Sequence, residues 1–428
     1  MTVMDYTSVK EFWQLKKEIR GSKDHLIVGI DVAKDNHKAF FGTANGKRLL
    51  KRLTFKNNIE GFEKLLARAK DMKIKYSLDE LVFGLEPTAN YHKPLGEFLI
   101  KCARMVVLVS GVAVKRNREL LDGRWDKHDT KDSANVADLI SQGKCLYYEY
   151  APLLLRDLRN LLSLKRRLKK QEHGIRIRIR NSLLAQYFPE LDKYYSKWEP
   201  EILSVVRWCL NPSVIAGLEY DQFVSLVSPG SKNIRQQGRL EWIWKKAVDS
   251  IGCDAGEAAE FESKVMVAEL RHIREVIKET DAKIKDVCVS FPEYDYLLTI
   301  PGFGPDVSSK VLAAIGNPFR FNSLSQVLKM AGMDLNANRS GKSSDTAVPV
   351  ISKKGSAHLR YAIYQAAFIA SCKNKYFIRH YTNTLRGRER EKGIKTKMRV
   401  KLAAKMLVIA WTLMKKKEPF DPAYLKIG

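Results

Sequence analysis

The pattern of hydrophobic and polar positions in the first third of the chain predicts an α/β domain. Three strand-like runs, LIVGIDVA, KAFFGTA and KRLLKRLTF, are followed by a helical stretch at 61–70 and by a fourth run, ELVFGLE. A second helix at 91–102 leads to an apolar run at 105–110, whose β-branched residues suit a buried strand.

Beyond residue 110 the periodicity is mainly helical. A basic connector at 115–124 leads to a helix at 129–140 with one apolar stripe, and a long helix follows at 156–183. A further extended helix at 256–288 has an apolar seam, which could pair helices between subunits. The seam consists of Phe261, Val265, Ile273, Ile277 and Ile284.

The last part of the chain is also predicted to be helical. The run LLTIPGFGPDVSSKVLAAIG at 297–316 resembles a helix-hairpin-helix, whose backbone amides approach a DNA phosphate, although a plain helical turn is the alternative. Helices at 357–414 are interrupted by the charged segments LRGRERE and KGIKTK. The predicted division is a helical extension (1–24), an α/β domain (25–150), a basic helical middle region (151–290) and a helical C-terminal domain (291–428).

The charge of the chain favours a polyanionic partner. The formal net charge is +27, from 75 Lys and Arg against 48 Asp and Glu, and nucleic acid fits this excess better than mere surface solubility does. The helix at 156–183 concentrates eight cations suited to phosphate contact, with a solvated helix face as the alternative. They are Lys165, Arg166, Arg167, Lys169, Lys170, Arg176, Arg178 and Arg180.

Several other classes of protein are disfavoured. The most apolar stretch, 406–414, is too short to cross a bilayer, and the N-terminus lacks a secretory apolar run, so we expect a cytoplasmic protein. The six cysteines are widely spaced and form no CxxC pair, so neither a zinc site nor a disulfide framework is indicated. We expect them to be ordinary buried thiols.

Four acidic residues stand at positions suited to metal binding. Asp31 in GIDVAK and Glu86 in GLEPTANYH each end a predicted strand, and parallel pairing would place both on one rim. Asp129 and Asp132 in KHDTKDSA lie three residues apart and would share a helix face. Such carboxylates repel one another unless cations neutralise them, and Mg²⁺ (or Mn²⁺) is a hard ion that suits oxygen ligands.

Each acid alone has a purely structural interpretation. Asp129 could cap its helix, Asp132 could interact with the helix dipole and Asp31 could be a turn residue. Two metal ions about 3.5 to 4 Å apart could instead stabilise the attacking and leaving oxygens of a phosphoryl transfer. The order of a strand Asp, a strand Glu and a helical DxxD resembles the active site of RNase H-like nucleases of the Holliday-junction resolvase type.

The motifs in their order resemble one known family over nearly the whole chain. They are GIDVAK, GLEPTANYH, KHDTKDSANVADL, LLTIPGFGP, AGMDLNANRSGKS and ISKKGSAHLRYAIYQAA. They resemble the DEDD transposases of insertion sequences, which are relatives of the Piv invertase and are understood as bridge-RNA-guided recombinases. The resemblance implies an RNase H-like domain with Asp31, Glu86, Asp129 and Asp132 as metal ligands, donor and target DNA, a bridge RNA, and a tetramer assembled from dimers.

The same resemblance implies a serine nucleophile in the C-terminal domain. The matching residue is Ser340 in RSGK, with Ser343 as the second choice. The register departs from the family at Pro349 and Val350, where a glycine often precedes ISKKG. From the residues alone Ser340 is an ordinary turn serine, and a serine hydroxyl needs a base or metal to take up its proton.

Cations follow the serine motif closely. Lys353, Lys354 and Arg360 could brace the transition-state phosphate or make ordinary contacts to the nucleic-acid backbone. The sequence thus predicts a transposase or DNA recombinase. One alternative is a metal-dependent, structure-selective nuclease that uses activated water. Another is a non-catalytic nucleic-acid-binding protein that retains the same scaffold.

Overall fold

The computed structural model describes residues 7–122, 129–194, 200–228, 230, 233–336 and 350–425. The chain forms two compact units. The first unit contains Met1–Pro152 together with Asn317–Asn322, and the second contains Leu153–Gly316 together with Ser323–Gly428. Each unit is described by itself, and the four-part division stays a prediction.

The first unit is built on a six-stranded mixed sheet in the order β3-β2-β1-β4-β5-β6. The strands are β1 (His25–Asp31), β2 (Asn36–Thr43), β3 (Arg48–Lys56), β4 (Glu80–Leu85), β5 (Met105–Leu108) and β6 (Leu146–Tyr147). The pairs β1–β4 and β4–β5 are parallel, and the other three pairs are antiparallel. The predicted α/β domain is confirmed.

Five helices cover the sheet. They are α1 (Thr7–Glu18), α2 (Ile59–Lys75), α3 (His92–Lys101), α4 (Gly111–Asp122) and α5 (Asp129–Ser141). One apolar cluster joins α2 and α3 to one face, and another joins α1 and α5 to the opposite face. Because β1 is buried on both faces, its sequence is a continuous apolar run and does not alternate.

Two local predictions for this unit were wrong. The segment predicted as a basic connector at 115–124 is largely the helix α4, whose Val114 and Asn117 are buried. The helix α1 is part of the domain core through Phe12 and Ile19, so it is more than an extension. In each case a polar or basic sequence hides the short buried stripe.

The first part of the second unit is an array of helices. They are α6 (Leu153–Arg178), a π-helical turn (Ile179–Leu184), α7 (Ala185–Tyr187), α8 (Pro189–Tyr194), α9 (Pro200–Trp208), α10 (Pro212–Ala216), α11 (Tyr220–Val227), α12 (Ile234–Val248) and α13 (Glu257–Val289). Aromatic residues such as Trp242 and Trp244 pack against the apolar cluster of this region, as predicted.

The remainder of the second unit is helical apart from one small β-hairpin. The elements are α14 (Pro292–Leu298), α15 (Pro305–Ile315), α16 (Leu324–Ala331), β7 (Leu335–Asn336), β8 (Val350–Ile351), α17 (Ala357–Lys373), α18 (Lys375–Leu385) and α19 (Ile394–Lys416), with a final 3₁₀ turn (Pro422–Leu425). Another 3₁₀ turn, Pro318–Arg320, lies in the six-residue segment that belongs to the first unit. The KGIKTK segment, predicted as linker, supplies the start of α19, because Ile394 is buried.

The long helices α6 and α13 run antiparallel within the chain. Ion pairs join Lys165 to Asp281 and Arg274 to Glu172, so the numbers rise along one helix as they fall along the other. The predicted seam of α13 was partly wrong, because Phe261 and Val265 are 70% and 37% exposed. The buried stripe contains smaller residues, namely Ala259, Ser263, Val267, Leu270, Ile277, Thr280, Ile284 and Cys288.

Two exclusions from the sequence can be compared with the structure. No described helix is long and apolar enough to cross a membrane, and the apolar stretch at 406–414 is packed within α19. All six cysteines are free, but only Cys145, Cys209 and Cys288 are buried, while Cys253 and Cys372 are exposed. Burial raises the pKa of Cys209 and of Cys288 to about 11, so these two thiols are inert at neutral pH.

Candidate active site

Asp31 and Glu86 lie side by side at the carboxyl ends of neighbouring parallel strands. They directly follow Ile30 and Leu85, which are Cα partners in the pairing of β1 with β4. The amide of Glu86 also donates a hydrogen bond of 3.4 Å to the carbonyl of Ile30, so the register continues to the acids. Neighbouring strands are about 4.8 Å apart, which places both half-buried carboxylates on one rim.

A pair of glycines lets α5 approach the sheet next to this rim. Gly29 and Gly84 are partners across β1 and β4, two residues before Asp31 and Glu86. A Cβ atom on Gly29 would lie 2.2 Å from the carbonyl oxygen of Ser133, and one on Gly84 would lie 1.9 Å from Cδ1 of Ile140. Any larger residue would therefore push α5 away from the sheet.

The first turn of α5 points towards the two acids. At the other end of α5, Arg20 Nε donates a 3.0 Å hydrogen bond to the carbonyl of Gln142. Arg20 belongs to the segment that enters β1, so the carboxyl end of α5 lies near the start of that strand. Asp132, only 4% exposed, is consequently at the end where Asp31 emerges.

The metal-binding capacity of this rim follows from its donors. Asp31, Glu86 and Asp132 offer only carboxylate oxygens, which is the ligand chemistry of Mg²⁺ and similar hard cations. Among the described residues, no three His, Cys, Asp or Glu side chains form a group that could by itself hold a metal ion. Asp129 begins α5, but its side chain lies outside the described part of the chain.

Buried amides fix α5 relative to α4. Asn117 Nδ2 donates to Asn135 Oδ1 at 2.6 Å and to Asp138 Oδ2 at 2.7 Å, and Asn135 Nδ2 donates to the Val114 carbonyl at 2.7 Å. Such bonds among buried polar groups specify one packing arrangement, since breaking them leaves unpaired groups. This network holds α5 in the orientation that presents Asp132.

Glu86 lies against the amino end of α4. A Cβ atom on Gly111, the first residue of that helix, would be 2.9 Å from Glu86 Oε1. Glycine at this position therefore leaves room for the carboxylate, and the helix amino terminus favours its negative charge. The acid is thus positioned from two directions, by its strand and by α4.

A buried histidine holds the turn after Asp31. The amide of Ala33 donates to Nδ1 of His37 at 3.2 Å, and the imidazole is fully buried beside Phe55. Burial lowers the pKa of His37, with a smaller opposing effect from Asn57, and a nitrogen that accepts a hydrogen bond carries no proton. The neutral imidazole therefore supports the end of β1.

The predicted nucleophiles Ser340 and Ser343 lie outside the described residues, but the structure on either side of them is well defined. The strands β7 and β8 pair Asn336 with Val350, which brings the ends of the intervening segment together. Beside them Gly355 packs so closely that a Cβ atom would lie 2.3 Å from the Gly332 amide nitrogen.

The cations beyond the serine motif differ in their surroundings. Lys353 and Lys354 are exposed, and Lys353 has a φ of 56°. Arg360 Nη1 donates to the Ala331 carbonyl at 2.8 Å, which caps the end of α16. Arg360 therefore has a structural contact, and nucleic-acid binding by the three cations stays a prediction.

The eight predicted cations of the basic helix also fall into two groups. Lys165 pairs with Asp281 and Asp306, Lys169 pairs with Glu172, and Arg180 pairs with Asp192, so the expectation that few acids are available was wrong. Arg176 is half-buried. The four exposed residues without an ion pair in the described part of the chain are Arg166, Arg167, Lys170 and Arg178.

The predicted helix, turn and helix at 297–316 are present, but their polar end is occupied. Gly302 has a φ of 88°, and a Cβ atom there would lie 2.4 Å from the Ala366 carbonyl oxygen. Asp306, in the first turn of α15, contacts Lys165 and Lys310. Burial alone would raise the pKa of Asp306, but the hydrogen bonds from these lysines lower it.

Two family models match the chain and together cover more than half of it. Residues 28–189, which include all four acids, match the DEDD transposase of IS110 type, and residues 294–382 match the transposase IS116/IS110/IS902 family. The chain belongs to the IS110 family of DEDD transposases. It is therefore an enzyme of DNA cleavage and transfer, and the predicted RNase H-like fold of its first unit is confirmed.

Two relatives illustrate the extent of the similarity. The IS110-family chain is 22% identical over 422 residues to the "Insertion element IS116 uncharacterized 44.8 kDa protein" of Streptomyces clavuligerus, covering 94% of this chain and 97% of the relative. It is also 28% identical over 158 residues to the "Pilin gene-inverting protein" of Moraxella lacunata, covering 36% of this chain and 47% of the relative.

Several residues that shape the transposase site were missed in the sequence. Gly29 and Gly84 precede their acids by the same spacing, as Gly-Ile-Asp and Gly-Leu-Glu, and this shared pattern was visible. Asn135 and His37 gave no such signal, because their roles depend on partners in other elements.

Proposed function

We propose that this transposase cleaves and rejoins DNA with Asp31, Glu86, Asp129 and Asp132 as ligands of divalent metal and Ser340 as the nucleophile. The main support is the adjacent placement of Asp31 and Glu86 on one rim, with the first turn of α5 directed towards it. The proposal for Asp129 and Ser340 rests on the family resemblance.

The described residues of the rim would act mainly by position. A bound Mg²⁺ or Mn²⁺ would supply positive charge at the phosphate and favour deprotonation of the attacking hydroxyl. Glu86 is held by its strand and by α4, while Asp132 is held by the amide network of α5. Little rearrangement of either element is then needed when the carboxylates engage a phosphodiester.

The covalent step conserves the energy of the phosphodiester. Attack by the Ser340 oxygen on phosphorus would form a phosphoserine ester and break the bond to one DNA end. That end leaves as a hydroxyl, which takes up a proton, and the serine proton passes to a base or to solvent. Attack by another DNA hydroxyl then reverses the step and restores the serine, so no energy cofactor is required.

The serine proposal is tested by trapping the intermediate. Full-length protein is incubated with labelled DNA from the ends of its own element and Mg²⁺, then separated under denaturing conditions. We expect a protein–DNA adduct that is lost in Ser340→Ala and kept in Ser343→Ala. The reverse pattern would move the nucleophile to Ser343, and cleavage without any adduct would show hydrolysis by activated water.

We also propose that a bridge RNA selects the DNA partners, with the protein holding backbone and shape. The net charge of +27 is consistent with two nucleic-acid partners. The gene is expressed with its native flanking DNA, and the RNA that co-purifies at high salt is sequenced. A discrete RNA encoded in the flank is expected, whereas random fragments alone would contradict guidance.

The family resemblance further leads us to propose a tetramer assembled from dimers on two DNA partners. The predicted tetramer is tested by light scattering of the full chain with and without DNA from the ends of its element. A DNA-dependent fourfold mass is expected, and a monomer under both conditions would contradict the proposal.

A further inference from the structure

The second unit contains a basic groove between two of its helices. It runs between α6 and α13, has a volume of about 770 Å³, and is defined here as the α6–α13 groove. Its lining comprises Arg167, Leu168, Lys170, Gln171, Gly174, Ile175 and Arg178 from α6, with Glu269, His272, Ile273 and Val276 from α13. The walls are thus polar and mostly cationic, while the floor is aliphatic.

The cations of this groove are the ones that the fold leaves available. Lys165 and Lys169, on the same helix, are neutralised by acids of the second unit. Arg167, Lys170 and Arg178 are exposed and have no ion-pair partner among the described residues. The helix therefore separates its structural cations from a second set whose charge remains unneutralised.

The spacing of this second set forms one stripe. Arg167, Lys170 and Arg178 follow the helical repeat of three to four residues and so lie on one face. At 1.5 Å per residue, the stripe from Arg167 to Arg178 is about 16 Å long. That length corresponds to roughly five nucleotides of one duplex strand at 3.4 Å each.

A glycine opens the middle of the stripe. No described atom lies within 4 Å of the position that a Cβ on Gly174 would occupy. Glycine in a helix interior is costly, by about 1 kcal/mol relative to alanine, so packing within the chain does not explain its presence. The position instead permits another backbone to approach α6 between Lys170 and Arg178.

We propose that the α6–α13 groove binds the phosphate backbone of a nucleic acid through Arg167, Lys170 and Arg178, with Gly174 as the point of closest approach. This rests on nucleic acid being the substrate of the enzyme, but it does not depend on the assignment of the catalytic acids. Charge complementarity selects the ligand, since a phosphodiester chain carries one negative charge per residue.

The proposal is tested by the salt dependence of binding. Fluorescence anisotropy of the full chain is measured with labelled duplex DNA and, separately, with single-stranded RNA between about 0.1 and 0.4 M salt. Each lost phosphate contact lowers the slope of log K against log salt by about 0.9 for duplex DNA and about 0.7 for single strands. The triple variant R167A/K170A/R178A should therefore lower the slope by about 2 to 3 on its ligand.

Matched variants separate the groove from general charge effects. Lys169→Ala also removes one positive charge from α6, but from a residue that is already paired, and should leave the slope unchanged. Gly174→Glu should weaken binding at least tenfold, whereas Gly174→Gln, of nearly equal size, should have a much smaller effect. Glu269→Gln, on the opposite wall, should strengthen binding.

The outcomes are decisive because the unfolding midpoint of each variant is measured alongside. A lower slope on DNA alone, on RNA alone or on both supports the proposal and identifies the source of the backbone. An unchanged slope on both ligands in a folded triple variant would overturn it. Loss of cleavage with normal binding in Asp31→Asn concerns the active site alone, so the two failures are distinguishable.

Discussion

Gly29 and Gly84 are direct partners in the parallel pairing of β1 with β4, and both lie beneath α5. The two glycines thus determine how closely the helix that carries Asp132 approaches the strands that end in Asp31 and Glu86. The spacing of the candidate site is set by contact between backbones, with the acidic side chains following from it.

Gly29→Ala is expected to destabilise the enzyme and to reduce cleavage. The new Cβ would be 2.2 Å from the Ser133 carbonyl oxygen, so α5 must shift, at a cost of about 1 to 3 kcal/mol. Urea unfolding and DNA cleavage are measured. Gly238→Ala is the control, because no described atom lies within 4 Å of its Cβ position and alanine favours helix. Equal stability of both variants would contradict the packing argument.

Gly111→Ala is expected to impair cleavage with little effect on folding. Its Cβ would meet the end of a flexible side chain, Glu86 Oε1, at 2.9 Å, so the carboxylate moves and the backbone does not. We expect at least a tenfold loss of cleavage and a change of less than about 1 kcal/mol in the free energy of unfolding. Full cleavage in this variant would show that the position of Glu86 is unimportant.

His37 predicts a loss of stability at mildly acidic pH. Its pKa is lowered in the folded state, so below the unfolded value of about 6.5 the unfolded chain binds a proton that the folded chain does not. Stability should fall as pH drops below about 6.5, by at most about 1.4 kcal/mol per pH unit from this group.

The comparison between wild type and His37→Gln isolates this effect. Glutamine keeps an acceptor for the Ala33 amide but does not titrate, while the other histidines with lowered pKa, His92 and His380, remain in both proteins. Urea unfolding at pH 7.5 and 5.5 should therefore show a smaller difference in the variant. The same difference in both proteins would exclude His37 as the cause.

The sequence predicted the strands and the acids at their ends because those signals are local. The run ending in Asp31 is continuously apolar, which is typical of a buried central strand, and the family motifs were placed on the correct elements. The helix α4 was missed because its buried stripe includes a polar residue, Asn117, whose partners Asn135 and Asp138 lie in another element.

Long-range pairing explains the other errors. Lys165 looked available in a basic helix, yet its partner Asp306 is 141 residues away and cannot be found from local pattern. Phe261 and Val265 formed a plausible seam on α13, but the helix buries the stripe with Ala259 and Ser263, since small residues allow closer packing. Periodicity gives the presence of a stripe and does not select between two competing ones.

The most direct test of the account is metal-dependent cleavage of DNA from the ends of the element. Wild type is compared with Asp31→Asn, Glu86→Gln and Asp132→Asn, and with Asp71→Asn on the exposed side of α2 as a control. We predict that each of the three site variants loses cleavage at least a hundredfold while keeping DNA binding and the unfolding midpoint, and that the control is unchanged. Wild-type cleavage in folded Asp31→Asn or Glu86→Gln would contradict the proposed active site.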